Sequence, residues 1–261
     1  LLAGFLFVKD PRLNFIGGSL IGICLLLDLL FWRPKEERAA LKAIDELKSD
    51  DATPKLKDMV GLLKIKVLWQ IIFFVMFSWT FYNVFDQQMF PEFYTSLFSS
   101  NAVGQQTYGT LNSIQVFVEA LMLGLVPLLM KKIGVRKTLL LGTAIMCLRI
   151  GLCGFITDPI VISGVKMLHS LEVPLFVLSI FRYFTLHFDT KLSATLYMIG
   201  FQIAAQVGQV ILSTPLGILR DNMGYSMTFK IIALIVLLTG IYGFFIIKKD
   251  NEFVNGQPLE K

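Results

Sequence analysis

Charge is what this chain has least of. Of 261 residues only 16% are Asp, Glu, Lys or Arg, against roughly 25% in soluble domains, and 55% are hydrophobic. That little polar surface cannot cover a globule in water, which excludes a soluble globular enzyme. Histidine and cysteine are scarce as well, at two and three residues. Cys24, Cys147 and Cys153 all lie inside apolar runs, so they read as small packing residues and not as a redox or disulfide framework. No Gly-rich phosphate loop, HExxH or CxxC occurs, and metal sites lack ligands. Intramembrane proteolysis by paired aspartates is hard to place, because Asp86 is the only Asp among the inward-facing residues and Asp28 sits near a helix end. Disorder needs low hydrophobicity, whereas the mean hydropathy here is +0.67.

Long apolar runs are what the chain has. A membrane helix needs about 20 mostly apolar residues, and such windows occur at 14–32, 67–90, 110–130, 138–156, 160–181, 192–214 and 228–247. The opening LLAGFLFV is too short to cross and is bounded by Lys9-Asp10-Pro11-Arg12. It has neither the basic start nor the small-residue cleavage site of a signal peptide. With no initiator Met, the chain reads as beginning near the end of a helix.

Lys and Arg sort by connection. Residues 33–66 are rich in them, 91–109 have none, and the turn KKIGVRK (131–137) carries Lys131, Lys132, Arg136 and Lys137. The next connection, TDPIV, has none, 182–191 carries Arg182, His187 and Lys191, and the tail restores Lys248 and Lys249. The positive-inside rule then places 33–66, 131–137, 182–191 and the C-terminus in the cytoplasm. The formal charge of +5 is therefore topological, and nucleic acid is not expected as a partner. Within 33–66, the run ERAALKAIDELKSDD is expected to form a short surface helix before the Thr53-Pro54 break, as a linker between bundles.

Five ionisable residues stand inside the expected spans: Asp86, Glu119, Arg149, His169 and Glu172, with Lys166 close by. At roughly 2.5–3.5 kcal/mol each, they oppose insertion by on the order of 13–17 kcal/mol, so such residues face a bundle interior or a water-filled cavity. Their spacing makes polar stripes. Asn83, Asp86 and Gln87 stand at i, i+3 and i+4, and Asn112, Gln115 and Glu119 at i, i+3 and i+7. Lys166, His169 and Glu172 follow at steps of three, spread over about 120° of an ideal helix. Gln202, Gln206 and Gln209 make a fourth stripe. The plain readings remain open: glutamines as interhelical glue, Asp86 with Lys166 as a structural ion pair, and Arg149 beside a carboxylate as structural. His169 and Glu172, one turn apart, can share or pass a proton.

The runs YNVFDQQMFPEFY (82–94), KKIGVRKTLLL (131–141), AIMCLRI (144–150), KMLHSLEVP (166–174) and RYFTLHFDTKLSATLYMIGFQ (182–202) resemble the C-terminal half of the oligosaccharide:proton symporters, the lactose-permease branch of the major facilitator superfamily. The resemblance implies an all-α, polytopic inner-membrane protein of twelve helices in two halves. On it, 1–32 hold the end of helix 5 and helix 6 of the N-terminal bundle, 33–66 the central cytoplasmic loop, 67–247 the C-terminal six-helix bundle and 248–261 a cytoplasmic tail. It also implies a disaccharide and a proton carried together by alternating access, without a cofactor beyond the coupling proton.

Carried over by position, the resemblance gives proton translocation to Glu172, His169, Arg149 and Glu119. Sugar contact falls to Asn83, Asp86, Gln115, Glu119, His169, Gln202 and Gln206, and a structural pair to Asp86 and Lys166. Three departures from the lactose-type pattern stand out: Asn83 and Ala205 where that pattern pairs an Asp with a Lys, and an acid at Glu119 in place of Val116. Both members of the first pair are neutral, so no buried charge is stranded. These departures resemble the sucrose permeases, with raffinose, melibiose or lactose as other possible cargoes and an uncoupled sugar facilitator as the alternative mechanism. Because the resemblance puts half the cavity wall in the N-terminal helices, residues 1–261 alone are expected to be a half-module that does not transport.

Overall fold

The structure is a computed structural model that describes residues 11–31, 64–188 and 190–251. The expected end of helix 5, the linker helix with its Thr-Pro break and most of the tail lie outside the described residues. What is described is all helix and turn. Helix α1 runs Pro11–Phe31, α2 Lys66–Ser96, α3 Asn101–Ile133, α4 Val135–Phe155 and α5 Pro159–His187. The continuous run that follows is divided at Gly224 into α6 (190–223) and α7 (225–246). Helices α2 to α5 and the run Ser193–Ile246 are long and apolar enough to cross a membrane. The expected windows all fall on helices, but α3 begins nine residues before its window at 110 and α6 reaches well past 214.

Local chemistry sets the ends. Asp158 caps α5, its Oδ1 accepting from the backbone N–H of Ile160 and Val161 at 2.9 Å each, and Pro159 takes the first helical position, where no N–H is missed. Ser100 caps α3 through Val103 N–H. The turns α3–α4 and α6–α7 share one conformation, Gly134 at φ 91°, ψ 160° and Gly224 at φ 75°, ψ 170°. Positive φ is a region a Cβ disfavours, so both turns call for glycine.

Three stretches depart from α geometry. Met76–Thr80 and Val84–Met89 in α2, and Met198–Ile203 in α6, are π-helical, each widening the helix locally. The second π turn carries Asp86 and resets the phase of its stripe. Asn83 stays buried, while Gln87 is exposed and meets Gln209 of α6, whose Nε2 donates to its Oε1 at 3.4 Å. In α5 the change is the opposite, a tightening. Met167, Leu168, Ser170 and Leu171 N–H groups bond to carbonyls three residues back, and Pro174 offers no N–H to Ser170. With three residues per turn, positions i and i+3 eclipse, so the fan expected of Lys166 and His169 narrows there, while Glu172 N–H bonds four residues back, to Leu168, as in an α-helix.

The bundle is inside-out compared with a soluble domain. Phe117, Leu121, Leu128, Leu238 and Phe245 face outward, as suits helices in hydrocarbon, while Arg149, Lys166 and Glu172 are buried. Aromatic rings fill the interior: Phe176 stacks on Phe74 and Trp79, and Phe229 takes the edges of Phe85 and Phe93. Close approach of α2 and α6 depends on Gly208, where a Cβ would lie 2.9 Å from Thr80 Oγ1. His187, expected in a loop, sits in the last turn of α5, buried and 4.4 Å from the Tyr183 ring, because α5 continues six residues beyond its apolar window. Cys153 is buried, Cys147 partly buried and Cys24 exposed.

Candidate functional site: a buried charge cluster

Arg149 projects from the middle of α4 into the bundle and is fully buried. An isolated guanidinium there would be prohibitively costly, so its fork is occupied. Nη2 donates to Asp86 Oδ1 of α2 at 2.6 Å, and Nη1 donates to Glu172 Oε1 of α5 at 2.7 Å and to Tyr82 Oη at 3.0 Å. The rings of Phe90, Phe85 and Tyr82 surround it, with centroids 4.8, 5.3 and 5.7 Å from Cζ, adding cation–π attraction in a dry setting.

Tyr82 is the hub of the cluster. Its hydroxyl donates to Glu172 Oε1 at 2.5 Å and stands 2.5 Å from His169 Nδ1. One hydroxyl has one proton, so with that proton on Glu172 the Tyr82 oxygen can only accept from Nδ1, whereas Arg149 Nη1, 3.2 Å from the same nitrogen, can only donate to it, so the two contacts call for opposite tautomers. Asp86 Oδ1, 3.3 Å from Nδ1, favours the tautomer with hydrogen on Nδ1. Glu172 and His169 are thus joined through one phenol oxygen, a path along which a proton can pass by shifting two hydrogens. Glu172 Oε2 and Arg149 Nε are buried without a hydrogen-bond partner among the described residues. Glu172 and Arg149 are sealed, while the side chains of His169 and Asp86 keep 15% and 17% exposure. The cluster therefore has a closed end and an open end.

Lys166 is not the partner of Asp86. Its Nζ donates to Asn112 Oδ1 at 3.2 Å and to Gln115 Oε1, and lies 4.6 Å from the centroid of Tyr108. The expected Asp86–Lys166 ion pair is corrected on this point. A planar fork can serve two carboxylates where an ammonium is one point charge, so Arg149 takes both acids and leaves Lys166 to the amides of α3.

The remaining expected residues fall into two groups. Asp86, Arg149, His169 and Glu172 converge, while Gln115 pairs with Lys166 apart from that cluster. Asn83 is buried without a hydrogen bond among the described residues. Glu119 is half-buried one turn from Gln115 and likewise has no partner. Gln202 donates to Tyr197 Oη at 3.2 Å, and Gln206 is exposed. Tyr82 was absent from the expected set, although its position four residues before Asp86 places it on the same face of an α-helix. No group of three metal-ligating side chains converges among the described residues.

An all-helical bundle of membrane-length segments, with arginine, carboxylates and histidine gathered in its interior, defines a polytopic membrane protein of the major facilitator type. The chain belongs to the family described as LacY proton/sugar symporter, whose model matches residues 1–258. Among its relatives is the sucrose permease of Escherichia coli, 40% identical over 258 residues, covering 98% of this chain and 60% of the relative. The raffinose permease of Escherichia coli is 33% identical over 254 residues (97% and 59%), and the lactose permease of Klebsiella oxytoca 31% over 248 residues (95% and 59%). The chain thus spans about 60% of the length of these relatives.

Proposed function

We propose that this chain is the greater part of a proton-coupled disaccharide symporter, that it works together with an N-terminal helical bundle, and that its cargo is sucrose. The observation that carries the coupling is the Arg149–Glu172 contact at 2.7 Å inside a cluster that includes Tyr82 and His169. A carboxylate sealed from water can hold a proton as a neutral acid while sugar is bound, and Arg149 can favour the charged form once the sugar has gone. A guanidinium on Glu172 Oε1 suits a proton-released carboxylate. Protonation at Oε2, the oxygen without a partner, would loosen the hold of Arg149 and free Asp86 and His169 at the open end for sugar hydroxyls.

Sucrose as cargo is supported by the sucrose permease among the relatives and by two neutral residues, Asn83 and Ala205, both buried. Asn112, Gln115, Gln202 and Gln206 supply further polar groups for the sugar, and Glu119 a second carboxyl on α3. The distribution of Lys and Arg supports a cytoplasmic α3–α4 turn and C-terminus in a plasma membrane.

Glu172→Gln tests the coupling in the full-length transporter. The variant should lose uphill accumulation and keep sugar exchange down a gradient. Accumulation at the wild-type level would refute the proton role. A parallel panel of radiolabelled sucrose, raffinose and lactose tests the cargo, and entry of sugar without a pH rise in a lightly buffered suspension would mean an uncoupled facilitator.

A further inference from the structure

A groove of about 340 Å³ runs along the outside of the bundle between α4 and α7, walled by Leu140, Ala144, Cys147, Gly240, Ile241 and Phe244. Apart from Thr143, its lining is apolar or glycine. At one end, through the shared residues Leu140 and Phe244, it continues into a second hollow of about 240 Å³ edged by Arg136, Lys137 and Lys249. The two form one slot with an oily body at membrane depth and a basic mouth at the helix ends.

The mouth is built, not merely charged. The Arg136 guanidinium donates to Phe244 carbonyl oxygen and lies 5.0 Å from the centroid of the Phe244 ring, which fixes it at the junction of the two hollows. The one acid at the mouth among the described residues, Asp250, is turned aside: its carboxylate accepts from the backbone N–H of Val135 at 2.7 Å and of Arg136 at 3.1 Å, at the start of α4. Arg136 and Lys137 therefore face, among the described residues, one acid whose charge is already met by a helix N-terminus. Lys131 and Lys132 follow at the end of α3.

A ligand matching both parts needs an aliphatic chain and an anionic head at the depth of the bilayer interface. We propose that the α4–α7 slot holds one anionic phospholipid of the surrounding bilayer, an acyl chain along Ala144 and Gly240 and the phosphate at Arg136 and Lys137. Basic pockets between membrane helices select anionic headgroups in this way, each Lys or Arg contributing about a fivefold preference.

Native mass spectrometry of the protein released from nanodiscs containing equal phosphatidylglycerol and phosphatidylethanolamine tests this. One retained phosphatidylglycerol, at least about fivefold over phosphatidylethanolamine, is expected. Lys137 and Ala144 are exposed, so Lys137→Gln and Ala144→Leu should fold. The first should lower the headgroup preference about fivefold, and the second should reduce retention of both lipids by filling the groove. A photoactivatable phosphatidylglycerol should label peptides of α4 and α7. Equal retention of the two lipids, an unchanged preference in Lys137→Gln, or labelling confined to other helices would each overturn the proposal.

Discussion

Replacing Arg149 with Met removes the one guanidinium that serves two acids, one buried and one partly buried. Arg149 lies 2.6 Å from Asp86 Oδ1 and 2.7 Å from Glu172 Oε1, with Glu172 fully buried. Removing one partner of a buried pair costs about 3–5 kcal/mol, because the other charge stays behind without compensation. The two acids are not independent, since both share one guanidinium, so the loss is expected within that range and not at twice it. Protein of this size shifts by roughly 2–4 °C per kcal/mol, which converts the loss to about 6–20 °C in melting temperature. Neutralising the whole set, with Arg149→Met, Asp86→Asn and Glu172→Gln together, leaves no stranded charge, and the melting temperature should return to the wild-type value or exceed it. Thermal unfolding followed by tryptophan fluorescence in detergent micelles reads all three proteins, and sugar accumulation reads their function. The triple variant should be stable and unable to accumulate sugar. If Arg149→Met melts within about 2 °C of wild type, or the triple variant melts below the single one, the account of Arg149 as charge compensator is wrong.

Two further tests address the frame around the site. Gly208→Ala places a Cβ 2.9 Å from Thr80 Oγ1 and 3.0 Å from its Cγ2, so it should cost about 1–3 kcal/mol by overpacking, and Thr80→Ala should recover most of that in the double variant, both read by thermal unfolding. Asp250→Ala removes the side-chain cap on α4 and should cost about 0.5–2 kcal/mol, with faster hydrogen exchange at the amides of Val135 and Arg136; Asp250→Asn should retain most of the protection.

Much of the fold was legible because a membrane helix announces itself by length and hydropathy: the expected windows fall on helices among the described residues, although in α1 the apolar stretch is only Phe15–Asp28, shorter than a span. The site was legible for the same physical reason in reverse: Asp86, Arg149, His169 and Glu172 are too costly in hydrocarbon to stand there unpaired, and they pair. What spacing could not give was the pairing itself. Asp86 and Lys166 carry opposite charges and lie on neighbouring stripes, yet the fork of Arg149 satisfies two acids at once, a preference of geometry that counting charges does not capture. Tyr82 was missed because a tyrosine in an apolar run is usually packing. The local geometry of α2 and α5 was invisible as well, since the periodicity argument assumes 3.6 residues per turn, and these helices widen at Asp86 and tighten around His169. Asp250 lies 115 residues from Val135, beyond the reach of any local pattern.

The two π turns of α2 have a consequence for insertions and deletions. Each stores a residue beyond what an α-helix of the same rise would use, so α2 carries slack in its length. Deleting Met76, in the first π turn, can be absorbed by conversion to α geometry, leaving Tyr82 and Asp86 where they are. Helix α4 has no such slack: deleting Leu141 turns everything after it by about 100° and carries Arg149 away from both its acids. A deletion scan scored by folded yield should tolerate gaps at 76–80 and reject them at 138–148, and the reverse pattern would show that the π turns hold nothing in reserve.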